Sequence, residues 1–170
     1  MNQLQRNLCG GLAALACFLN PAQAGLFTDP DPNWKEGDFA LPPAPRETAL
    51  REIPVDDASR NRFLLDERSL TVGGDAVVRY VLVVRTAGGA ENVTFEGIRC
   101  EVGGWRMYAT GRPGGEWALA RDAAWQPIIE TAYNRPRAAL AKDYFCDGMV
   151  PPRDREEVLR RLRDGRPQTK

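Results

Sequence analysis

Ala76 to Thr86 reads AVVRYVLVVRT, a run dominated by valine. Branching at Cβ favours extended backbone over helix. The even positions Ala76, Val78, Tyr80, Leu82, Val84 and Thr86 form a face that is apolar except at its ends. The odd positions Val77, Arg79, Val81, Val83 and Arg85 form a mixed face carrying two arginines. Alternation of period two predicts a strand with one face turned to a core.

Glycine pairs punctuate the chain on both sides of this strand, at Gly73-Gly74, Gly88-Gly89, Gly103-Gly104 and Gly114-Gly115. Glycine reaches the positive φ that tight turns need, so pairs between β-rich runs mark an antiparallel meander. The runs Arg62–Leu65, Leu70–Val72, Val93–Val102, Trp105–Thr110 and Glu116–Arg121 supply the neighbouring strands. In Val93–Val102 the apolar phase is odd at Val93 and Phe95 and even at Ile98, Cys100 and Val102, which predicts a β-bulge at Glu96-Gly97. Trp105, Met107 and Ala109 alternate with Arg106, Tyr108 and Thr110 as one regular strand.

The C-terminal region reads as helical. Pro136 suits a first helical turn, Leu140 and Tyr144 share a face, and Cys146-Asp147-Gly148 is a stop. Asp154 and Glu157 have capping-box spacing for a second helix with Val158, Leu159 and Leu162 on its apolar side. The expected class is α+β: a roughly five-stranded antiparallel meander packed against C-terminal helices. The single domain spans residues 61–165, with a basic tail at 166–170.

Upstream, residues 25–60 contain six prolines and should form an extended arm, because proline has no amide donor for a helix interior or a central strand. The arm has eight acidic and four basic residues, whereas residues 61–170 have 15 acidic and 18 basic. This asymmetry, with Trp34 and Phe39 as anchors, suggests an arm lying on the body; the alternative is a tether with two incidental aromatics.

Residues 1–24 read as a signal peptide. Arg6 precedes a 12-residue apolar run, Leu8 to Leu19, and Ala22-Gln23-Ala24 places small residues before a cleavage point after Ala24. A hydrocarbon core of about 30 Å needs a longer helix. Membrane attachment would require an uncleaved signal or lipidation at Cys17. Cleavage removes Cys9 and Cys17 and leaves Cys100 and Cys146 in an oxidising compartment. One disulfide between them is the preferred reading, with two free thiols or a metal pair as alternatives.

The 170-residue chain has 23 basic and 23 acidic side chains and no histidine. No Ser-His or Cys-His pair and no imidazole ligand or base is available. Scattered arginines and zero net charge do not form a nucleic-acid footprint. No cofactor motif and no set of metal ligands appears, and no catalytic residue is assigned. Arg79, Arg85, Glu96, Arg99 and Arg106 are the candidate ligand-binding residues: bidentate arginines along one sheet face, beside a bulge that re-aims Glu96. The bland alternative is a set of solvated or salt-bridged sheet residues.

The strings Asn61-Arg62-Phe63, Val78-Arg79-Tyr80, Asn92 to Cys100, Trp125 to Ile128 and Tyr144-Phe145-Cys146 resemble the cryptic neisserial protein-like family of exported Gram-negative proteins. Trp34-Lys35-Glu36 and the proline-rich arm fit the same pattern. The resemblance implies a small exported domain with no assigned activity, cofactor or catalytic residue. Two functions are carried forward. One is a non-catalytic periplasmic or secreted envelope protein that binds an envelope protein or glycan through its arginine-bearing face and arm. The other is a histidine-free hydrolase of an envelope polymer, using Glu96 with a second carboxylate about 5–9.5 Å away.

Overall fold

The computed structural model describes residues 31–55 and 59–165. The leader with its cleavage point after Ala24, Cys17 and the tail at 166–170 lie outside the described residues. Seven strands form one antiparallel sheet: β1 (Leu50–Glu52), β2 (Arg62–Val72), β3 (Val77–Arg85), β4 (Glu91–Arg99), β5 (Gly104–Gly111), β6 (Trp117–Leu119) and β7 (Gln126–Pro127). Strands β1 to β6 lie in sequence order, and β7 pairs with β5. Three of the glycine pairs fall in connections between strands, and the fourth, Gly103-Gly104, opens β5. Gly89, Gly103, Gly114 and Gly115 adopt positive φ, but in the β2–β3 turn that role falls to Ala76, at φ 63°.

The strand count exceeds the expected five because β1 and β7 are added, while Arg62–Leu65 and Leu70–Val72 are the ends of one strand. Its pairing with β3 slips between Asp66 and Thr71. The arm also contributes β1, with register Leu50↔Asp66 to Glu52↔Leu64.

The helical end begins with α1 (Arg135–Leu140), carrying Pro136 in its first turn. A π-helical turn over Ala141–Phe145 continues it. Helix α2 (Arg155–Asp164) opens on a reciprocal cap: Asp154 accepts from the Glu157 amide at 2.8 Å, and Glu157 accepts from the Arg153 amide at 2.9 Å. Cys100 and Cys146 form the disulfide, with Cα atoms 5.6 Å apart. It joins the end of β4 to the end of the π-helical turn.

Both faces of the sheet are covered. The helix-side core gathers Leu65, Leu70, Val78, Tyr80 and Ile98 against Leu140, Phe145, Val158 and Leu162. The opposite face gathers Leu64, Val81, Val83, Phe95, Tyr108 and Ala109, with Leu50, Val93 and Trp117 packed against them. This two-sided burial corrects the reading of the Val93–Val102 run. Strands β3 and β4 pair without a break from Val77↔Arg99 to Arg85↔Glu91, so no bulge exists at Glu96-Gly97 of β4. Phe95 belongs to one core and Ile98 to the other. The register break is across from it: Phe95 pairs with Ala109 but Glu96 with Met107, which makes Tyr108 the extra residue in β5. Tyr108 and Ala109 therefore serve the same core, and β5 does not alternate regularly. Gly97 has a different reason to be glycine: a Cβ there would lie 2.5 Å from the Tyr108 hydroxyl.

Candidate functional site

The odd face of β3 is where the arm docks. Arg79, 3 % exposed, faces Asp75 in the turn before its own strand, with Nη2 to Oδ2 at 2.5 Å and Nη1 to Oδ1 at 3.2 Å. Asp75 also accepts from the Gly37 amide at 2.8 Å and the Val77 amide at 3.2 Å. Burial alone would raise the Asp75 carboxyl, but the Arg79 hydrogen bond and the two amides hold it below the usual range. Burial likewise works against the Arg79 charge, and Asp75, Tyr108 and Glu36 outweigh it to push the guanidinium up.

Glu36 is the hub of the arm. Its Oε1 accepts from Arg79 Nη2 at 3.2 Å and from the Tyr108 hydroxyl, while Oε2 accepts from Arg106 Nη1 and from Trp125 Nε1 at 3.3 Å. Burial, followed by the hydrogen bond to Glu36, pushes the Tyr108 phenol well up. Around this hub the aromatics clamp the chain. Trp34 lies 3.8 Å beneath the Arg99 guanidinium and edge-on to Trp125 at 5.8 Å, and it donates to the Asp75 carbonyl at 3.1 Å. Phe39 packs on Tyr108 at 4.3 Å, and Trp117 donates to the Pro42 carbonyl at 2.6 Å. An arm with few amide donors of its own is held by side chains of the sheet. Its acidic residues meet the basic body at Glu36, Glu47 and Glu52.

Glu96 stands on the other face. It is fully buried and accepts from Arg137 Nε at 2.9 Å and Nη2 at 2.5 Å, from the Tyr80 hydroxyl at 3.0 Å and from Thr94 at 2.7 Å. Burial first, then the Glu96 charge, pushes the Tyr80 phenol far up, so it is a permanent donor. Arg137 lies 3.7 Å over the Trp105 ring. Burial disfavours its charge, but Glu96 outweighs that and raises the guanidinium.

These positions correct the picture of a single binding face. Arg79, Arg99 and Arg106 share the arm-covered face and are engaged there. Arg85 sits at the far end of β3, paired with Glu91 at 2.8 Å and Glu47 at 2.5 Å. Glu96 is on the opposite face and touches none of them. A hydrolase needs a carboxylate open to substrate and water. Glu96 is closed within an ion pair, and that reading is withdrawn. Trp105 is core, and Trp117 and Trp125 hold the arm. No group of three or more His, Cys, Asp or Glu positioned for a metal occurs among the described residues.

The structure offers a different concave surface. Helix α1 has six residues and α2 ten, against strands of nine to eleven residues in β2, β3 and β4. The helical layer leaves one end of the sheet open. There a groove of about 660 Å³ has Phe63, Leu82, Val84 and Met107 as its floor and Tyr133, Pro136 and Arg137 as its wall. Its rim carries Asn61, Thr86, Asn92, Thr94 and Thr110. A larger cavity of about 820 Å³ borders α1 and is lined by Ala138, Ala139, Lys142, Glu130 and the disulfide. Sequence reading missed the first groove because its floor comes from three strands and its wall from a loop and the first turn of α1. The one available signal was Tyr133, a large aromatic in a loop, which is 63 % exposed.

The fold and these contacts define a small disulfide-stapled sheet protein, closed on one face by helices and on the other by its own N-terminal arm. The chain belongs to the CNP1-like family, whose model matches residues 29–163. It is 29 % identical over 147 residues to cryptic neisserial protein 1 of Neisseria gonorrhoeae, covering 77 % of this chain and 72 % of that protein. No solved structure matches. Among the described residues, no helix is long and apolar enough to cross a membrane.

Proposed function

We propose that this is an exported protein of the Gram-negative cell envelope that acts by binding rather than by catalysis. The observation that carries the reading is the closure of Glu96, the one carboxylate singled out for chemistry, by Arg137, Tyr80 and Thr94. The residues 1–24 support export, since their short apolar run and small-residue ending fit a leader cleaved after Ala24. A disulfide in a chain with two cysteines beyond that leader suits an oxidising compartment. The binding surface is the open groove on the helix side, because the arginine face is occupied by the arm. Its volume of about 660 Å³ falls within the range of small-ligand sites, about 300–1,000 Å³.

The test has two readouts on one preparation. The full chain is expressed in a Gram-negative host and recovered from the periplasm. N-terminal sequencing should begin at Gly25. The purified protein should co-sediment with isolated envelope polymers and leave their chemistry unchanged by mass spectrometry. An unprocessed cytoplasmic chain overturns the export reading. Polymer cleavage abolished by Glu96→Gln overturns the binding reading.

A further inference from the structure

The groove on the helix side has a chemistry that narrows its occupant. Its floor of Phe63, Leu82, Val84 and Met107 is apolar, and among the described residues its lining contains no carboxylate. The two arginines of the wall, Arg135 and Arg137, both take part in interactions within the protein, Arg137 with Glu96 and the Tyr133 carbonyl. The remaining polar groups are neutral hydroxyls and amides. Three of them are already committed: Thr94 donates to Glu96 at 2.7 Å, Thr86 accepts from the Ala90 amide at 3.0 Å, and Ser59 accepts from the Asn61 amide at 3.1 Å. The side chains of Asn61, Asn92 and Thr110 make no intramolecular hydrogen bond among the described residues. Each amide offers two donors and an acceptor, and the hydroxyl offers one donor and two lone pairs.

Above this floor stands Tyr133. It is 63 % exposed, yet its ring is held in place by the Arg137 guanidinium at 4.6 Å and by the edge of Trp105 at 6.0 Å. An exposed aromatic whose orientation is fixed from below presents a flat apolar platform without the entropic cost of ordering it on binding. An aliphatic floor, a fixed aromatic face and uncommitted neutral hydrogen-bonding groups together match one kind of molecule. A sugar ring carries an apolar C–H face on one side and a rim of hydroxyls around its edge. A fatty chain would leave the amides of Asn61 and Asn92 without a use. An anion would require a cation that the protein has not already engaged.

We propose that this groove binds an uncharged saccharide, with Tyr133 as the stacking platform and Asn61, Asn92 and Thr110 reading its hydroxyl or acetamido groups. The proposal rests on the reading of the protein as a binding domain and names the ligand class of that site. An N-acetylated sugar suits it best, since its methyl group fits the aliphatic floor and its amide pairs with an asparagine side chain.

The protein recovered from the periplasm is titrated with N-acetylglucosamine oligomers and maltotetraose, and with decanoate as a sugar-free apolar probe, while amide and side-chain NMR signals are followed. Saccharide-dependent shifts of Asn61, Asn92, Thr110 and Tyr133 support the proposal. Tyr133→Ala should then weaken the saccharide at least ten-fold, and Asn92→Ala with Thr110→Val should do the same, with the amide spectrum away from the groove unchanged. Occupation of the groove by decanoate but by no saccharide overturns the glycan assignment and leaves the binding reading standing. Saccharide shifts confined to residues elsewhere overturn the site. No shift at the groove with any probe overturns the proposal and removes the groove from the binding reading as well.

Discussion

Replacing Arg137 with methionine strands Glu96. The carboxylate has no solvent exposure, and two of its four hydrogen bonds come from Arg137. What remains are the hydroxyls of Tyr80 and Thr94, both neutral donors. Removing one member of a buried ion pair typically costs about 3–5 kcal/mol, because the other charge is left without compensation. For a chain of this length each kcal/mol moves the melting temperature by about 2–4 °C, so Arg137→Met should melt about 6–20 °C below the parent. Replacing both partners with apolar residues of similar volume, Glu96→Leu with Arg137→Met, should recover most of the loss, since such exchanges are often neutral or stabilising. The assay is urea unfolding followed by tryptophan fluorescence with the disulfide intact, with Trp105 beneath Arg137 among the four reporting tryptophans. The double-mutant cycle should give a coupling of at least about 2 kcal/mol. A single Arg137→Met variant within about 0.5 kcal/mol of the parent, at the same m-value, would refute the closed pair. Glu96 would then be a candidate for catalysis again.

Further outcomes follow from the arm and the staple. Glu36→Gln weakens four hydrogen bonds to the sheet and should cost about 2–3 kcal/mol; limited proteolysis should then cut between residues 40 and 46, and an arm as resistant as the parent's would count against the docked arrangement. Gly97→Ala should reproduce that protease sensitivity from the sheet side, because its Cβ would displace the Tyr108 hydroxyl that holds Glu36; unchanged stability would show that Tyr108 can yield freely. The Asp75 carboxyl is held low in the folded state, so its contribution is present above the ordinary carboxylate pKa of about 3.9 and is lost as pH falls through the depressed folded value. Asp75→Asn should therefore lower the melting temperature at pH 7 and flatten its fall between pH 5 and pH 2, and two parallel melting curves would contradict this. Reducing the Cys100–Cys146 bridge, which closes a loop with a sequence separation of 46, should cost about 4 kcal/mol in the chain-entropy model; equal melting temperatures with and without reductant would refute a stabilising role.

What was legible in the sequence had a period. The even positions of β3 announced the helix-side core, the glycine pairs announced the meander, and Asp154 with Glu157 announced α2. The odd positions of β3 were equally informative, but Arg79 and Arg85 made that face resemble one turned to solvent. Arg79 is nevertheless 3 % exposed, because the groups that cover it lie 42 and 43 residues earlier, at Gly37 and Glu36. A covering element with no strand or helix period leaves no pattern to read, and composition alone, acidic arm against basic body, hinted at it. The apparent slip at Glu96-Gly97 had the same origin. A strand buried on both sides shows apolar residues in both phases, which is indistinguishable by periodicity from a bulge. The true bulge at Tyr108 was hidden because Tyr108 and Ala109 are both tolerated on either face.

The same geometry explains why the arm needs a polar latch. Two short helices can cover one face of a single sheet, and the other face still carries Val81, Val83, Phe95 and Tyr108. A further helix or sheet layer would satisfy its own backbone and leave the apolar contact to side chains. The proline-rich stretch before β1 forms no ladder, so packing of Phe39 and Trp34 alone would let it slide along the sheet. Glu36 removes that freedom: its four donors, Arg79, Arg106, Tyr108 and Trp125, come from three separate parts of the chain and meet at a single register. Shifting the arm by one residue would place Lys35 or Gly37 at that junction and leave two arginines facing each other without a carboxylate between them. The arginines of this face therefore fix the position of the arm, and the groove proposed for a saccharide lies on the other face, where the helical cover stops short.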